Sequence, residues 1–303
     1  MIARAIIASI IILTFTAVVF LPKTDFNTSY LTEAKTEATV AAIVQNPEIL
    51  PKRISTYQDP QQLTAKSAII LDAKTGTQLF KKDPDLKHLP ASTTKLMTAL
   101  VALESCSPEQ VITVGPVEKE GSQMGLSAGD KMTVENLLYG MLIPSGNDAG
   151  MVLATSCARS YDQFIARMNE KAVELGMTNS HFVNAVGFDN DFQYSTAMDL
   201  ARLAKVAVAN PLISKIVDTK STVVTDVTGK KTYFLENVNK LLGNVEGIEG
   251  IKTGETEGAL EILISKTTRN NNSIIVVVLG SKHRFDESKK LIEWAYKNYF
   301  WSE

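Results

Sequence analysis

Strand-like runs stand at both ends of this sequence and helical periodicity fills the span between them, which limits the fold more than any other feature. Residues 67–71 are β-prone, residues 72–76 carry turn formers, and residues 77–80 resume a strand, so this stretch predicts a hairpin. Residues 260–267 and 274–279 are strand-like again, with Asn270, Asn271 and Asn272 as the turn between them. Between these ends, Leu96, Met97, Leu100, Val101 and Leu103 recur at helical spacing. Residues 133–141 predict a further helix with Thr133 as its N-cap, broken by Pro144 and the Ser145-Gly146-Asn147 run. Residues 148–158, 161–175 and 195–208 continue the helical pattern, with Gly176 and Pro211 as stops, and residues 285–299 close the chain with an amphipathic helix. The simplest architecture is α+β: an antiparallel sheet formed by both ends of the domain, flanked by helices, with a mostly helical subdomain in the middle.

The start of the chain is different in kind. Residues 5–21 carry no charge, after Arg4 and before Pro22 and Lys23. That length lies between a signal-peptide core and a full span of about 20 residues, so residues 1–23 read as a signal peptide or an N-terminal membrane anchor. Either one puts the rest outside the cytoplasmic membrane, on the periplasmic or extracellular face. Residues 24–64 are polar with scattered prolines and read as a tether, leaving 65–303 as the compact domain. Lys and Arg number 31 against 33 Asp and Glu, a net charge of -2, which argues against a nucleic-acid binder working through a basic surface. Cys106 and Cys157 are too few for a disulfide scaffold or a four-cysteine metal knuckle, and can form one disulfide or none. His88, His181 and His283 are too dispersed for a zinc cluster, so no metal or cofactor is expected.

Three short motifs carry chemistry. Ser92-Thr93-Thr94-Lys95 falls at a predicted helix start, and residues three apart share a helix face, so the Lys95 amine lies beside the Ser92 hydroxyl. Serine needs a base to become a nucleophile. Lysine serves as that base only if burial or a neighbouring cation lowers its pKa. Ser145-Gly146-Asn147 offers a hydroxyl for proton relay and a carboxamide that can accept from a lysine and donate to a substrate carbonyl. Lys252-Thr253-Gly254, expected just before a strand, puts Lys252 and Gly254 on one face. Lys252 brings positive charge, Thr253 a hydroxyl for a carboxylate, and Gly254 clears room for a substrate to pair along the strand edge. Taken singly, the three also fit an N-cap serine with a surface lysine, an ordinary turn and a glycine-rich surface loop.

Together and in this order, S-x-x-K, S-x-N and K-T-G resemble the low-molecular-mass penicillin-binding proteins, the serine-type D-alanyl-D-alanine carboxypeptidases of peptidase family S11. LPASTTKLMTAL, GSQMGLSAGDKMTVENLLYGMLIPSGNDAG, GMTNSHFVNAVGF, YSTAMDLARLA and GIEGIKTGETEGA extend the resemblance over about residues 67–300. It implies a β-lactamase/transpeptidase-like fold and hydrolysis of the terminal D-alanine from peptidoglycan stem peptides ending in D-Ala-D-Ala, through an acyl-enzyme on Ser92. By the same resemblance Lys95 is the general base, Ser145 relays protons and Asn147 orients the substrate. Lys252, Thr253 and Gly254 form the substrate-binding strand, and the backbone N–H groups of Ser92 and Glu255 form an oxyanion hole. β-Lactams are then expected as covalent inhibitors on Ser92. The last predicted helix runs almost to Glu303, so no C-terminal β-rich domain is expected.

Three positions depart from that family's pattern: Glu255 where an uncharged residue is usual, Leu260 where glycine is usual, and Gln193 where histidine is common. Two rival functions follow. A class A-like β-lactamase would need a deacylating glutamate downstream of the middle motif, and residues 176–181 hold no carboxylate. A non-catalytic cell-wall-binding protein that retains the cleft is the reading that Glu255 and Leu260 favour.

Overall fold

The computed structural model describes residues 50–54, 60 and 62–302. The expected leader or anchor at 1–23 and most of the tether at 24–64 lie outside the described residues. In chain order the first elements are β1 (Pro51–Arg53), β2 (Ser67–Asp72), β3 (Gln78–Lys82), a 3-10 turn (Ala91–Thr94) and α1 (Lys95–Ser105). Next come β4 (Val111–Thr113), β5 (Lys131–Thr133), α2 (Val134–Leu142), α3 (Asn147–Ser156), α4 (Tyr161–Glu174), α5 (Ala197–Ala209) and α6 (Pro211–Asp218). The chain then runs through β6 (Ser221–Thr225), β7 (Thr232–Glu236), β8 (Ile248–Thr256), β9 (Leu260–Arg269), β10 (Asn272–Ser281), α7 (Arg284–Asn298) and β11 (Tyr299–Trp301).

Both ends of the domain do meet in one antiparallel sheet, of order β3-β2-β10-β9-β8. Its central strands are covered on both faces, so they read as unbroken apolar runs. Alternation then sends their side chains two ways. Ala68, Ile70, Ile274, Val276 and Val278 pack with Leu291, Ile292 and Ala295 of α7. Ile69, Leu71, Ile275, Val277 and Leu279 join the cluster that holds Leu96 and Met97 of α1 and Leu200 and Leu203 of α5. Each fully buried leucine or isoleucine contributes about 1.5–3 kcal/mol, so the sheet is fixed between two layers of helix. Asn270 and Asn271 turn β9 into β10 with φ of 49° and 63°, the left-handed pair that a two-residue hairpin loop requires.

Several helix starts follow their caps. The hydroxyls of Thr133, Ser160 and Thr196 accept from Asn136 N, Gln163 N and Asp199 N at 3.1, 3.2 and 3.1 Å. Pro211 both ends α5 and opens α6, because its missing N–H is an orphan at a first helical position and Asn210 caps Leu212 and Ile213. The sequence marks Pro211 only as a stop, so α6 is an addition to the expected elements, as is the β6–β7 hairpin. Residues 51–53 are expected in the tether. Here they pair with β11, and Trp301 Nε1 donates to Asp72 Oδ2 at 2.8 Å, tying that ribbon to the main sheet.

Cys106 and Cys157 form a disulfide with a Cα separation of 5.6 Å. They are the C-caps of α1 and α3, two helices that both begin at the motif residues. The 51-residue separation makes the link a substantial constraint on the unfolded chain. Replacing both cysteines with alanine is expected to lower the unfolding free energy by about 2–4 kcal/mol, read as a lower urea midpoint with the far-UV spectrum of the native state unchanged.

Candidate active site

The nucleophile candidate sits where a strained turn meets a helix. Ala91, just before Ser92, has φ of +46°, and Gly187 is pressed against it: a Cβ on Gly187 would lie 1.9 Å from the Ala91 carbonyl oxygen. Only glycine lets the two segments approach this closely. The 3-10 turn carries Ser92, and α1 opens at Lys95, whose side chain is fully buried. Lys95 Nζ lies 2.9 Å from Ser92 Oγ, 2.7 Å from Asn147 Oδ1 and 3.0 Å from the Val186 carbonyl oxygen. Burial, and then the charge of Lys252, hold the Lys95 pKa well below the ordinary lysine range, while Asp148 opposes them. As a neutral amine, Lys95 can donate to Asn147 and Val186 and turn its lone pair to the Ser92 hydroxyl.

Asn147 opens α3 and is gripped from the other side. Its backbone N–H donates to the Ser122 carbonyl at 2.7 Å and its Nδ2 to the Glu120 carbonyl at 2.9 Å. The next residue, Asp148, is buried and its carboxylate accepts from the backbone N–H groups of Met124, Gly125 and Leu126 at 2.8, 2.8 and 2.9 Å. Residues 120–126 are therefore laced to the start of α3. Asn184 does the same for the Val186 segment, its Oδ1 accepting from Gly187 N at 2.7 Å and Phe188 N at 3.0 Å.

Lys252 is the second buried lysine. Its Nζ donates to Ser145 Oγ at 2.9 Å and to the Thr253 carbonyl at 3.1 Å. Burial, followed by the nearby Arg284 charge, pushes its pKa down to about 7. Ser145 takes φ of +64° at the bend between α2 and α3, which aims its hydroxyl at this lysine. The third motif lies inside β8, not before a strand as expected from the sequence. Gly243, Gly247 and Gly250 had made the approach look like a loop. The expected shared face holds: Lys252 and Gly254 stand opposite Ile264 and Ile262, which belong to the cluster that holds α1 and α5. A Cβ on Gly254 would lie 3.3 Å from Ser92 N, so the edge strand runs close beside the nucleophile's own amide.

The motif residues thus converge: Ser92, Lys95 and Asn147 in one hydrogen-bonded group, Ser145 and Lys252 in another, with Thr253, Gly254 and Glu255 along the adjoining strand. A model of the D-alanyl-D-alanine carboxypeptidase family, peptidase family S11, matches residues 54–283. This chain belongs to peptidase family S11. It is 34% identical over 245 residues to D-alanyl-D-alanine carboxypeptidase DacF of Bacillus subtilis, covering 78% of this chain and 63% of DacF. The chain therefore spans less than two thirds of that relative's length. The crystal structure of the Streptomyces K15 DD-transpeptidase superposes with a TM-score of 0.74 at 31% identity, covering 79% of this chain and 100% of that one. DacD from Francisella tularensis gives a TM-score of 0.74 at 30% identity, over 81% of this chain and 73% of that one.

The three departures from the S11 pattern now have structural settings. Gln193 is buried, and its Oε1 accepts from Val183 N and Asn184 N at 3.0 Å each, so it supports the loop that carries Val186. Leu260 has φ of +56°, the left-handed region in which a glycine would be free of strain. The Glu255 carboxylate turns to Arg284 at 2.8 Å. Arg284, Asp148 and Asn184 are the residues that sequence reasoning missed. Arg284 NH1 donates to the Gly254 carbonyl at 2.9 Å from the first turn of α7. An acidic residue in the first turn of a helix beside a motif was the one available signal for Asp148. His181 Nδ1 contacts the Phe192 carbonyl oxygen at 2.7 Å.

Proposed function

We propose that this chain is a serine-type D-alanyl-D-alanine carboxypeptidase acting on peptidoglycan stem peptides through an acyl-enzyme on Ser92. The observation that carries the reading is the buried Lys95 amine 2.9 Å from Ser92 Oγ, its charge disfavoured by burial. Lys95 takes the Ser92 proton as Oγ attacks the carbonyl before the terminal D-alanine. The backbone N–H groups of Ser92 and Glu255 receive the oxyanion. Ser145, hydrogen-bonded to Lys252, relays to the leaving amine the proton that Lys95 took from Ser92, which returns Lys95 to its neutral form. Water then attacks the ester with Lys95 again as base, and Ser92 recovers its proton. Lys252, Thr253 and the Arg284 charge attract the substrate's terminal carboxylate, Asn147 orients the peptide and Gly254 leaves room for it.

β-Lactams are proposed to acylate Ser92 as mimics of the same substrate. Residues 5–21 are proposed as the leader or anchor that places the domain on the periplasmic or extracellular face. The disulfide supports that placement, since such bonds persist in oxidising compartments. Among the described residues no helix is long and apolar enough to cross a membrane.

Mass spectrometry after penicillin exposure, with D-alanine release from a peptide ending in D-Ala-D-Ala followed in parallel, tests the reading. A stable adduct on the Ser92 peptide together with released D-alanine is expected. Rapid loss of the adduct would favour a β-lactamase, and an adduct without D-alanine release would favour a wall-binding protein. An adduct mapped to another residue would remove the mechanism.

A further inference from the structure

Arg284 is held on several sides. Glu261, the register partner of Glu255 across β8 and β9, accepts its backbone N–H at 2.8 Å. Its NH1 donates to the Gly254 carbonyl at 2.9 Å, and its Nε is buried without a hydrogen-bond partner. The guanidinium is therefore fixed against the strand that presents Lys252 and Thr253, near enough to depress the Lys252 pKa. Its side chain is 13% exposed, whereas that of Glu255, paired with it at 2.8 Å, is 60% exposed. One partner is a fixed part of the cleft wall and the other is a solvent-facing arm.

We infer that Glu255 is a specificity determinant: its carboxylate occupies Arg284 as a substrate carboxylate would, and so disfavours ligands with a free C-terminal carboxylate relative to ligands without one. The inference rests on the carboxypeptidase reading above. A carboxylate arriving at Lys252 and Thr253 meets an arginine already neutralised and a like charge beside it. Both effects act on association. Neither touches Ser92, Lys95 or the backbone donor of residue 255, so the signature is a KM effect. An exposed pair in water is individually weak, which bounds the size of that effect.

Glu255→Gln keeps the shape and the backbone N–H and removes the charge. For a peptide ending in D-Ala-D-Ala, KM is expected to fall about three- to tenfold, with kcat changed less than about twofold. For an N-acyl-D-alanyl thioester of an uncharged thiol, which has no carboxylate, the same variant should leave KM unchanged. Glu255→Lys should lower the peptide KM further. In an Arg284→Gln background the Glu255→Gln effect on KM should shrink. An unchanged peptide KM, an equal change for both substrates, or a fall in kcat alone overturns the inference while the carboxypeptidase reading stands. If the wild-type protein neither releases D-alanine nor is acylated by penicillin, the reading itself falls and takes the inference with it.

Discussion

Lys95→Met is expected to lower kcat/KM for D-alanine release by about 10²- to 10⁴-fold while leaving a folded protein. Methionine fills a similar volume in a fully buried slot but can take no proton from Ser92. The variant leaves Asn147 Oδ1 and the Val186 carbonyl without their donor, a cost of about 1–3 kcal/mol for each buried group. Removing an amine whose charge burial disfavours works in the opposite direction. Stability is therefore expected to move far less than activity. D-alanine release, penicillin acylation and thermal melting, measured on one preparation, separate the two. Activity within tenfold of wild type, with the fold intact, would sink the assignment of Lys95 as base.

Affinity for a carboxylate-bearing substrate is expected to fall as pH rises through about 7, the value to which burial and Arg284 bring Lys252. Below that pH the lysine is charged and attracts the carboxylate. Above it the attraction fades, by up to about tenfold in KM per pH unit. Lys252→Met should abolish this limb and cost about 100-fold in kcat/KM at pH 6, the loss of a buried charge-assisted contact. Stability should run the other way. The folded-state value lies below the ordinary lysine value of 10.5, so between about 7 and 10.5 the unfolded chain binds more protons than the folded one. The unfolding free energy contributed by Lys252 therefore rises with pH across that window, and Lys95 acts in the same direction. Urea midpoints taken at intervals over the window should climb less in Lys252→Met than in wild type.

Residues whose contacts follow from local spacing were legible in the sequence. Ser92 and Lys95 are three apart at a helix start, and the Asn270–Asn271 turn is written in two residues that tolerate left-handed backbone. The sheet was legible because β2 and β10 carry continuous apolar runs at residues 68–71 and 274–279. Contacts made by distant segments were not. Arg284 reaches Gly254 only because α7 begins where β8 passes. Asp148 and Asn184 hold loops by accepting backbone N–H groups, and such scaffolding leaves no periodic trace. Gly247 and Gly250 disguised β8, because glycine is read as loop wherever the surrounding sheet cannot be seen. The cysteine pair was legible as a possible bond, and its effect on α1 and α3 only in three dimensions.

Ala91, Ser145 and Leu260 all hold left-handed backbone without being glycine, each at a cost of about 1–3 kcal/mol. A programme to raise heat tolerance would find its room for improvement unevenly distributed. At Leu260 a glycine relaxes the chain away from the reacting atoms. At Ala91 and Ser145 the same exchange slackens the nucleophile's approach or deletes the relay hydroxyl. The molecule can be toughened at its margin, and only by surrendering turnover at its centre.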